Sequence, residues 1–484
     1  MLSASLLVAA AILAQTPREE DFYRIETLKL PDEVVLEVGG ILPLDESRVM
    51  ACTRRGEVWT ITNPWSEKPI FTLAFDGLQE PLGLAAPEGV GKGKPIYVAQ
   101  RGELSRMFDD DGDWRIDRLE TVCSDWSISG NYHEYAFGPA IDKNGDFWIT
   151  LNRPFGSEPF GPKDWRGWAV RVTRDGAAHY DVAGLRSPCG VAASPDGEIF
   201  YTDNQGEWCP TNKLAVLQRG EFHGHPHGID SAKRPESNVE HPGAIPDGIL
   251  MPDAVKRIPH LRLPAVWFPY DKMGKSASGL AWDTTGGKFG PFEGQIFVGD
   301  QHHGSVMRVA LEKVGDEWQG ACFPFRMNFQ CGIVRVAFLP DGSLAVGETN
   351  RGWGSRGTKP WGLERCVWTG VMPFEIHTMH ATPSGFRLWF TKPVDRTSAA
   401  DPASYSCKTY TYELHERYGS DEMDTQPATV KSATVSDDGL TVDLAIDGLR
   451  EGYVHELVAG GVRSADKIPL LHADAYYTLN KRPK

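Results

Sequence analysis

One pattern recurs along this chain: a short apolar strand, a Gly-containing turn, a strand ending in polar residues, then a further strand. The copies read "GGILPLDESRVMACTRRGEVWTIT", "PLGLAAPEGVGKGKPIYVAQRGELSRMF", "HEYAFGPAIDKNGDFWITLNRP", "PCGVAASPDGEIFYTDNQGEW", "ASGLAWDTTGGKFGPFEGQIFVGDQHHGSVMRVAL" and "IVRVAFLPDGSLAVGETNRGWG". Strand-built repeats of roughly 40 to 55 residues imply propeller blades, because each small sheet can bury its faces only against its neighbours. Six copies predict a six-bladed β-propeller over about residues 20–370. At 484 residues the chain is also too long for one ordinary core. After Gly370 the pattern changes to "FRLWFTKPVDRTSAADPASYSCKTYTYEL" and "VKSATVSDDGLTVDLAI", strands with an Asp-Gly turn. That tail, 371–484, reads as a small Ig-like β-sandwich, so the expected fold class is all-β.

The N-terminus, "MLSASLLVAAAILAQTPREED", has an apolar stretch from Leu6 to Leu13 followed by small and then polar residues. It reads as a signal peptide over residues 1–14, which predicts a secreted or periplasmic protein. No later apolar run is long enough for a transmembrane segment. A net charge of -15 argues against nucleic acid and against a polyanionic ligand, since no stripe of Lys and Arg is present. Export allows the eight cysteines to be oxidised, and the locally spaced pairs Cys189 with Cys209 and Cys322 with Cys331 are the candidate bridges. No CxxC occurs, which excludes a zinc ribbon and a covalently attached c-type haem.

In a propeller the loops at one end of the central channel bring groups from all blades together, so site residues should recur at one position of the repeat. They do. His133 and Glu134 stand at the entry of the third copy and Arg186 at that of the fourth. After the polar-ended strands come Gln100 and Arg101, Asn152 and Arg153, Asp203 to Glu207 with Asn204 and Gln205, Asp300 to His303, and Glu348 to Arg351. His133 is the candidate general base, with Glu134 beside it to orient the ring. A long insertion, about 221–275, carries His223, His225 and His227 in "FHGHPHG", an alternation that would face all three one way in an extended chain. In "FDDDGDWRIDRLE", Asp109, Asp111 and Asp113, with Asp117 and Glu120, fall at calcium-loop spacing, although Trp114 occupies the position that wants Gly.

These segments resemble the soluble quinoprotein glucose dehydrogenases and their sorbosone dehydrogenase-like relatives, six-bladed propellers that oxidise sugars with pyrroloquinoline quinone. "HEYAFGPAIDKNGDFWIT" is similar to the segment whose His takes the substrate hydroxyl proton, which casts His133 in that role. "LRSPCGVAASPDGEIFYTDNQGEWCPTNKLAVLQRGEFHGHP" resembles the family's stretch with a cofactor-binding Arg and calcium-holding carbonyls. The resemblance thereby implies Arg186 toward the quinone, Asn204 and Gln205 near it, and the backbone of Gly206 and Glu207 on calcium. In the fifth copy His302 stands where the family has a cofactor-binding Lys. In the sixth, Arg335 is the single, register-shifted counterpart of two quinone-binding arginines. Gln79 matches a substrate-side Gln within a residue, and Arg101 stands near it. The resemblance further implies a small carbohydrate substrate and an external cytochrome as electron acceptor.

Two other functions fit the residues. A calcium-dependent hydrolase or lactonase would activate water on a metal held by Glu134, Asp203, Asn204 or Glu348. A non-catalytic carbohydrate-binding propeller would use mouth tryptophans Trp208 and Trp353. The cation count at the channel discriminates: a polycarboxylate quinone needs Arg and Lys, calcium hydrolysis needs converging carboxylates, and plain binding needs neither.

Overall fold

The computed structural model describes residues 17–156, 164–352 and 354–484; the 1–14 segment and Trp353 lie outside them. The chain is all-β and propeller-like. Four four-stranded sheets and the first part of an eleven-stranded one are antiparallel meanders in chain order, and a fifth four-stranded sheet joins three late strands to the first strand of the chain. The third is typical, running Ala136–Ile141, Phe147–Leu151, Trp168–Val172, Ala178–Ala183. Phe147–Leu151 is buried at all its positions because neighbouring sheets cover both of its faces. The last repeat sheet, Ile333–Phe338, Leu344–Thr349 and Trp361–Trp368, takes its outer strand from the N-terminus. Tyr23–Thr27 pairs there antiparallel, Tyr23 opposite Trp368, and ties the two ends of the ring together.

The innermost strands, Val38–Asp45, Leu84–Ala85, Ala136–Ile141, Pro188–Ala193, Ala277–Trp282 and Ile333–Phe338, each pack on the next, and the last returns to the first. A glycine recurs in or beside these strands because the backbones approach too closely for a side chain. A Cβ on Gly83 would lie 1.9 Å from the Gly138 carbonyl oxygen, and one on Gly190 would lie 2.2 Å from that of Ser278.

The strand Glu317–Arg326, outermost in the fifth repeat sheet, does not end the sheet. It pairs with Asp474–Leu479, Cys322 opposite Tyr476, and the C-terminal strands continue from there. Met423–Val435 serves two layers: its start pairs with Ser406–Thr411 and its end with Thr441–Asp447. These layers enclose their own apolar core, with Phe386, Leu388, Val442, Leu457 and Tyr477, and Phe323 of the propeller packs into it. The C-terminal unit is therefore joined by hydrogen-bonded backbone and shared core, not by a linker.

The long insertion connects Asn212–Val216 to its partner Val266–Phe268. It also reaches the C-terminal unit, where Ile249–Leu250 pairs with Glu413–Leu414. All eight cysteines are unpaired, so neither expected disulfide forms. Proximity in sequence misled here: Cys189 lines the channel mouth while the Cys209 thiol donates to the Thr211 carbonyl at 3.5 Å, and Cys322 is locked in a sheet against Tyr476. Among the described residues no helix is long and apolar enough to cross a membrane.

Candidate functional site

The loops that enter the innermost strands and those that follow the polar-ended strands meet at one end of the channel, around a cavity of about 870 Å³. His133, Arg186, Asn204 and Gln205 line it, as the repeat position predicts.

His133 is buried, stacked on Phe155 with ring centroids 3.3 Å apart. Its Nδ1 lies 2.8 Å from the Arg153 carbonyl. A carbonyl only accepts, so Nδ1 carries the proton and the Nε2 lone pair is left free. Nε2 accepts from the Ser187 hydroxyl at 3.1 Å. Burial, reinforced by the charges of Arg186 and Arg153, drives the pKa of the ring down to about 3 and keeps it neutral. The ring is thus oriented by a backbone carbonyl. Glu134, expected to orient it, is turned away: its carboxylate accepts from the Ser129 hydroxyl at 2.5 Å and the Ser129 amide at 2.8 Å. The pair is adjacent in sequence, but it sits in a tight turn, closed by the Glu134 amide on the Asn131 carbonyl at 3.3 Å, that sends the two side chains to different partners.

Four cationic side chains reach the cavity wall: Arg54, Arg186, Lys275 and Arg351; no carboxylate lines it among the described residues. Their counter-ions stand behind them. Arg54 bonds to Glu80, Arg186 to Glu207 at 2.9 Å, Lys275 to Asp271 at 3.5 Å and Arg351 to Glu37 at 2.5 Å. Although burial raises the pKa of Glu207, Arg186 and Arg153 hold its carboxyl below the usual range. The face toward the cavity is consequently basic in a chain whose net charge is -15. Overall charge, read as evidence against a polyanionic ligand, says nothing of how charges are sorted between the wall and its backing.

Other expected residues fall elsewhere. His302 does not line the cavity; its Nδ1 lies 2.7 Å from the Gly354 carbonyl, and Lys275 provides the lysine of the wall. Arg335 lies below as a floor, donating to the carbonyls of Leu82 and Cys189 at 2.8 Å and of Val334 at 2.6 Å. Gln79 is exposed and outside the wall. Arg101 is one layer back, donating to the Asn131 carbonyl at 2.8 Å and paired with Glu80. Trp208 packs against the core and does not line the cavity.

The calcium expected on backbone carbonyls does not fit at Gly206, whose oxygen already accepts from the Gly419 and Cys209 amides at 3.1 and 3.2 Å. Its two lone pairs are used. Elsewhere Asp109 and Asp111 converge with Asp117; Asp113 instead accepts from the Arg115 amide at 2.7 Å. His223, His225 and His227 form no metal-holding group, and the aspartate trio is the one such group among the described residues. The insertion bends at its glycines, leaving His223 bonded to Tyr201 at 2.9 Å.

Sequence reasoning missed Arg54, Lys275, Tyr132 and Tyr418 on the wall. Arg54 follows a polar-ended strand as Arg101 and Arg153 do, and Lys275 precedes an innermost strand as Arg186 does, so the repeat could have found both. Nothing local marks Tyr418, which comes from the C-terminal unit.

No family model matches the chain, and no curated protein does. Solved structures do. A putative oxidoreductase (glucose dehydrogenase) from Thermus thermophilus aligns over 71% of this chain and 100% of its own, at 17% identity and a TM-score of 0.51. A second glucose dehydrogenase aligns over 70% of this chain and 98% of its own at 18% identity and 0.51. A carbohydrate-active enzyme of family AA12 from Trichoderma reesei covers 76% of this chain and 100% of its own at 11% identity and 0.51. At such identities the likeness is one of fold, and this chain has the propeller fold of the glucose dehydrogenases, as the sequence resemblance implied.

Proposed function

We propose that this chain is an exported oxidoreductase that oxidises a sugar or sugar aldehyde at the channel mouth, with a polycarboxylate quinone of the pyrroloquinoline type as cofactor. The observation that carries this reading is the wall of Arg54, Arg186, Lys275 and Arg351, unrelieved by any carboxylate among the described lining residues. Carboxylates bind guanidinium and ammonium groups through charge-assisted hydrogen bonds, so this donor set fits such a cofactor. When bound, the quinone supplies two-electron, hydride-accepting chemistry.

The protein's own part is proton transfer and positioning. His133 is held neutral with Nε2 toward the cavity, so it can accept a substrate hydroxyl proton once the Ser187 hydroxyl rotates away. The imidazolium then formed keeps its Nδ1–H on the Arg153 carbonyl. Anionic groups seated among the wall cations would offset the charges of Arg186 and Arg153, raising the basicity of His133 in the loaded site. Asn152, Asn204 and Gln301 offer amides to hydroxyls. Electrons would leave to an external cytochrome.

The hydrolase alternative keeps only Asn204 of its candidate ligands on the cavity wall. Glu134 faces the Ser129 loop, Asp203 accepts from the Arg186 and Ser187 amides, and Glu348 is bonded to Gln330. We read the first four strands of the eleven-stranded sheet as a blade, which makes six. We also keep 20–370 as propeller, 371–484 as an Ig-like sandwich and 1–14 as a cleaved signal.

The test is calorimetric titration of the mature protein with pyrroloquinoline quinone, with and without calcium, followed by dye reduction over an aldose panel. Quinone binding, with dye reduction abolished in His133→Ala, supports the reading. Absence of quinone binding in both titrations sinks it.

A further inference from the structure

The C-terminal unit sends one loop across to the cavity. Three backbone hydrogen bonds fasten it to the site-forming loop after Asp203: Trp208 donates to the His415 carbonyl at 2.9 Å, Gly419 to that of Gly206 at 3.1 Å and Ser420 to that of Pro210 at 2.8 Å. Glu207 and Tyr418 form an isolated antiparallel bridge. Gly419 is required at this junction, since its φ is +63° and a Cβ there would lie 2.5 Å from the Gln205 amide nitrogen. The loop therefore has a fixed register on the site.

That register delivers Tyr418. Its ring lies 5.3 Å from the Arg186 guanidinium carbon and lines the cavity, yet the residue is 51% exposed. Tyr132 is the other large exposed ring on this wall, at 62%. Two exposed rings bordering one cavity differ from singly scattered surface residues, and an aromatic ring offers a rigid apolar plate with a polar edge. Deeper in the cavity His133 is covered by Phe155, so the rim tyrosines are the more accessible rings. On the far side of the same loop lies a second, wide cavity of about 1350 Å³ bordered by Gln205, Tyr270 and Tyr418. Tyr418 is a partition between that space and the site.

We propose that Tyr418, supplied by the C-terminal unit, is a specificity-determining residue that stacks on the apolar face of a ring-form substrate. The appended unit is thus part of the pocket. This rests on the sugar-oxidising reading above, and it adds that ring-shaped substrates are favoured over short open-chain aldehydes.

The experiment uses the full-length, quinone-loaded protein and the variants Tyr418→Ala and Tyr418→Phe, assayed by dye reduction with a pyranose and with a three-carbon aldehyde. Pyranose binding is followed separately by calorimetry. Loss of one stacked ring predicts a KM for the pyranose raised roughly tenfold in Tyr418→Ala. The KM for the aldehyde and both kcat values should stay within about twofold, and Tyr418→Phe should behave as the parent, because the ring and not the hydroxyl does the stacking. Equal effects on both substrates, no effect, or a Phe variant as impaired as the Ala variant would overturn the proposal. Should the parent bind a pyranose by calorimetry in a Tyr418-dependent way but reduce no dye, the oxidoreductase reading fails and the role of Tyr418 stands. If the parent binds no pyranose at all, this inference fails with it.

Discussion

The two ends of the channel are built from the same innermost strands and differ in what projects from them. At the mouth, the loops flanking the strands carry Arg186, Lys275, His133 and Phe155 into a cavity of about 870 Å³. At the other end a smaller cavity of about 500 Å³ is lined by Gly83, Gly138, Gly190 and Gly279. Arg335 separates the two, spending its donors on three carbonyls. The glycine end sets the spacing of the ring and the mouth uses that spacing. Substitutions at one end should cost folding, and at the other, chemistry.

The largest effect expected is at the mouth. Removing a positioned general base typically costs about 10²–10⁴-fold in rate, so His133→Ala should lose that much kcat in dye reduction while keeping its melting temperature within a few degrees. A loss of stability in place of activity would erase the distinction between the ends. Next is the floor. Arg335→Met leaves the carbonyls of Leu82, Cys189 and Val334 short of a buried donor, at about 1–3 kcal/mol each, and denaturant unfolding should show a deficit of several kcal/mol. The same substitution at Lys275, whose ion pair with Asp271 is 3.5 Å long and partly exposed, should change stability by about 1 kcal/mol or less. Lys275→Met should nevertheless weaken quinone binding about tenfold in calorimetry, because a charge-assisted hydrogen bond is lost.

The smallest effect is one of pH. His133 is a base with its pKa driven down, so it stays neutral as pH falls until about 3 and gains its proton only below that. In the quinone-free protein, titration of the His133 ring followed by NMR should therefore show no acid limb near 6.5, an ordinary histidine value. Arg186→Gln removes one depressing charge and should move the limb upward. A limb already near 6.5 in the parent would show that the mouth is wetter than its packing requires. A contrasting histidine lies far from both ends: His472 sits between Glu375 at 2.7 Å and Glu19 at 3.2 Å. Burial lowers its pKa, but the two carboxylates outweigh that and raise it to about 9. Its folded-state pKa is raised, so its contribution to stability is complete below about 6.5 and fades as pH rises through 9.

The fold was legible because repetition is a property of the chain. Each copy carries its own strands, turns and glycine, and stacking such units leaves few alternatives. His133, Arg186, Asn204 and Gln205 were legible for the same reason, since a repeat places equivalent residues at equivalent heights. Glu134 was misread because the turn ahead of the strand sends its carboxylate to the Ser129 loop and not to its neighbour's ring. The calcium carbonyl of Gly206 was misread because its partner amide, Gly419, comes from a unit more than two hundred residues away.

The sequence by itself determined an all-β propeller-like ring and a mouth lined by loop residues, His133 among them. Those follow from local patterns repeated along one chain. Only the tertiary structure decided that the wall is basic with its carboxylates behind it, that Arg335 is a floor, and that the C-terminal unit lends Tyr418 to the pocket. Each of these depends on which atoms from distant segments compete for the same donors and acceptors, and that competition exists only once the ring has closed.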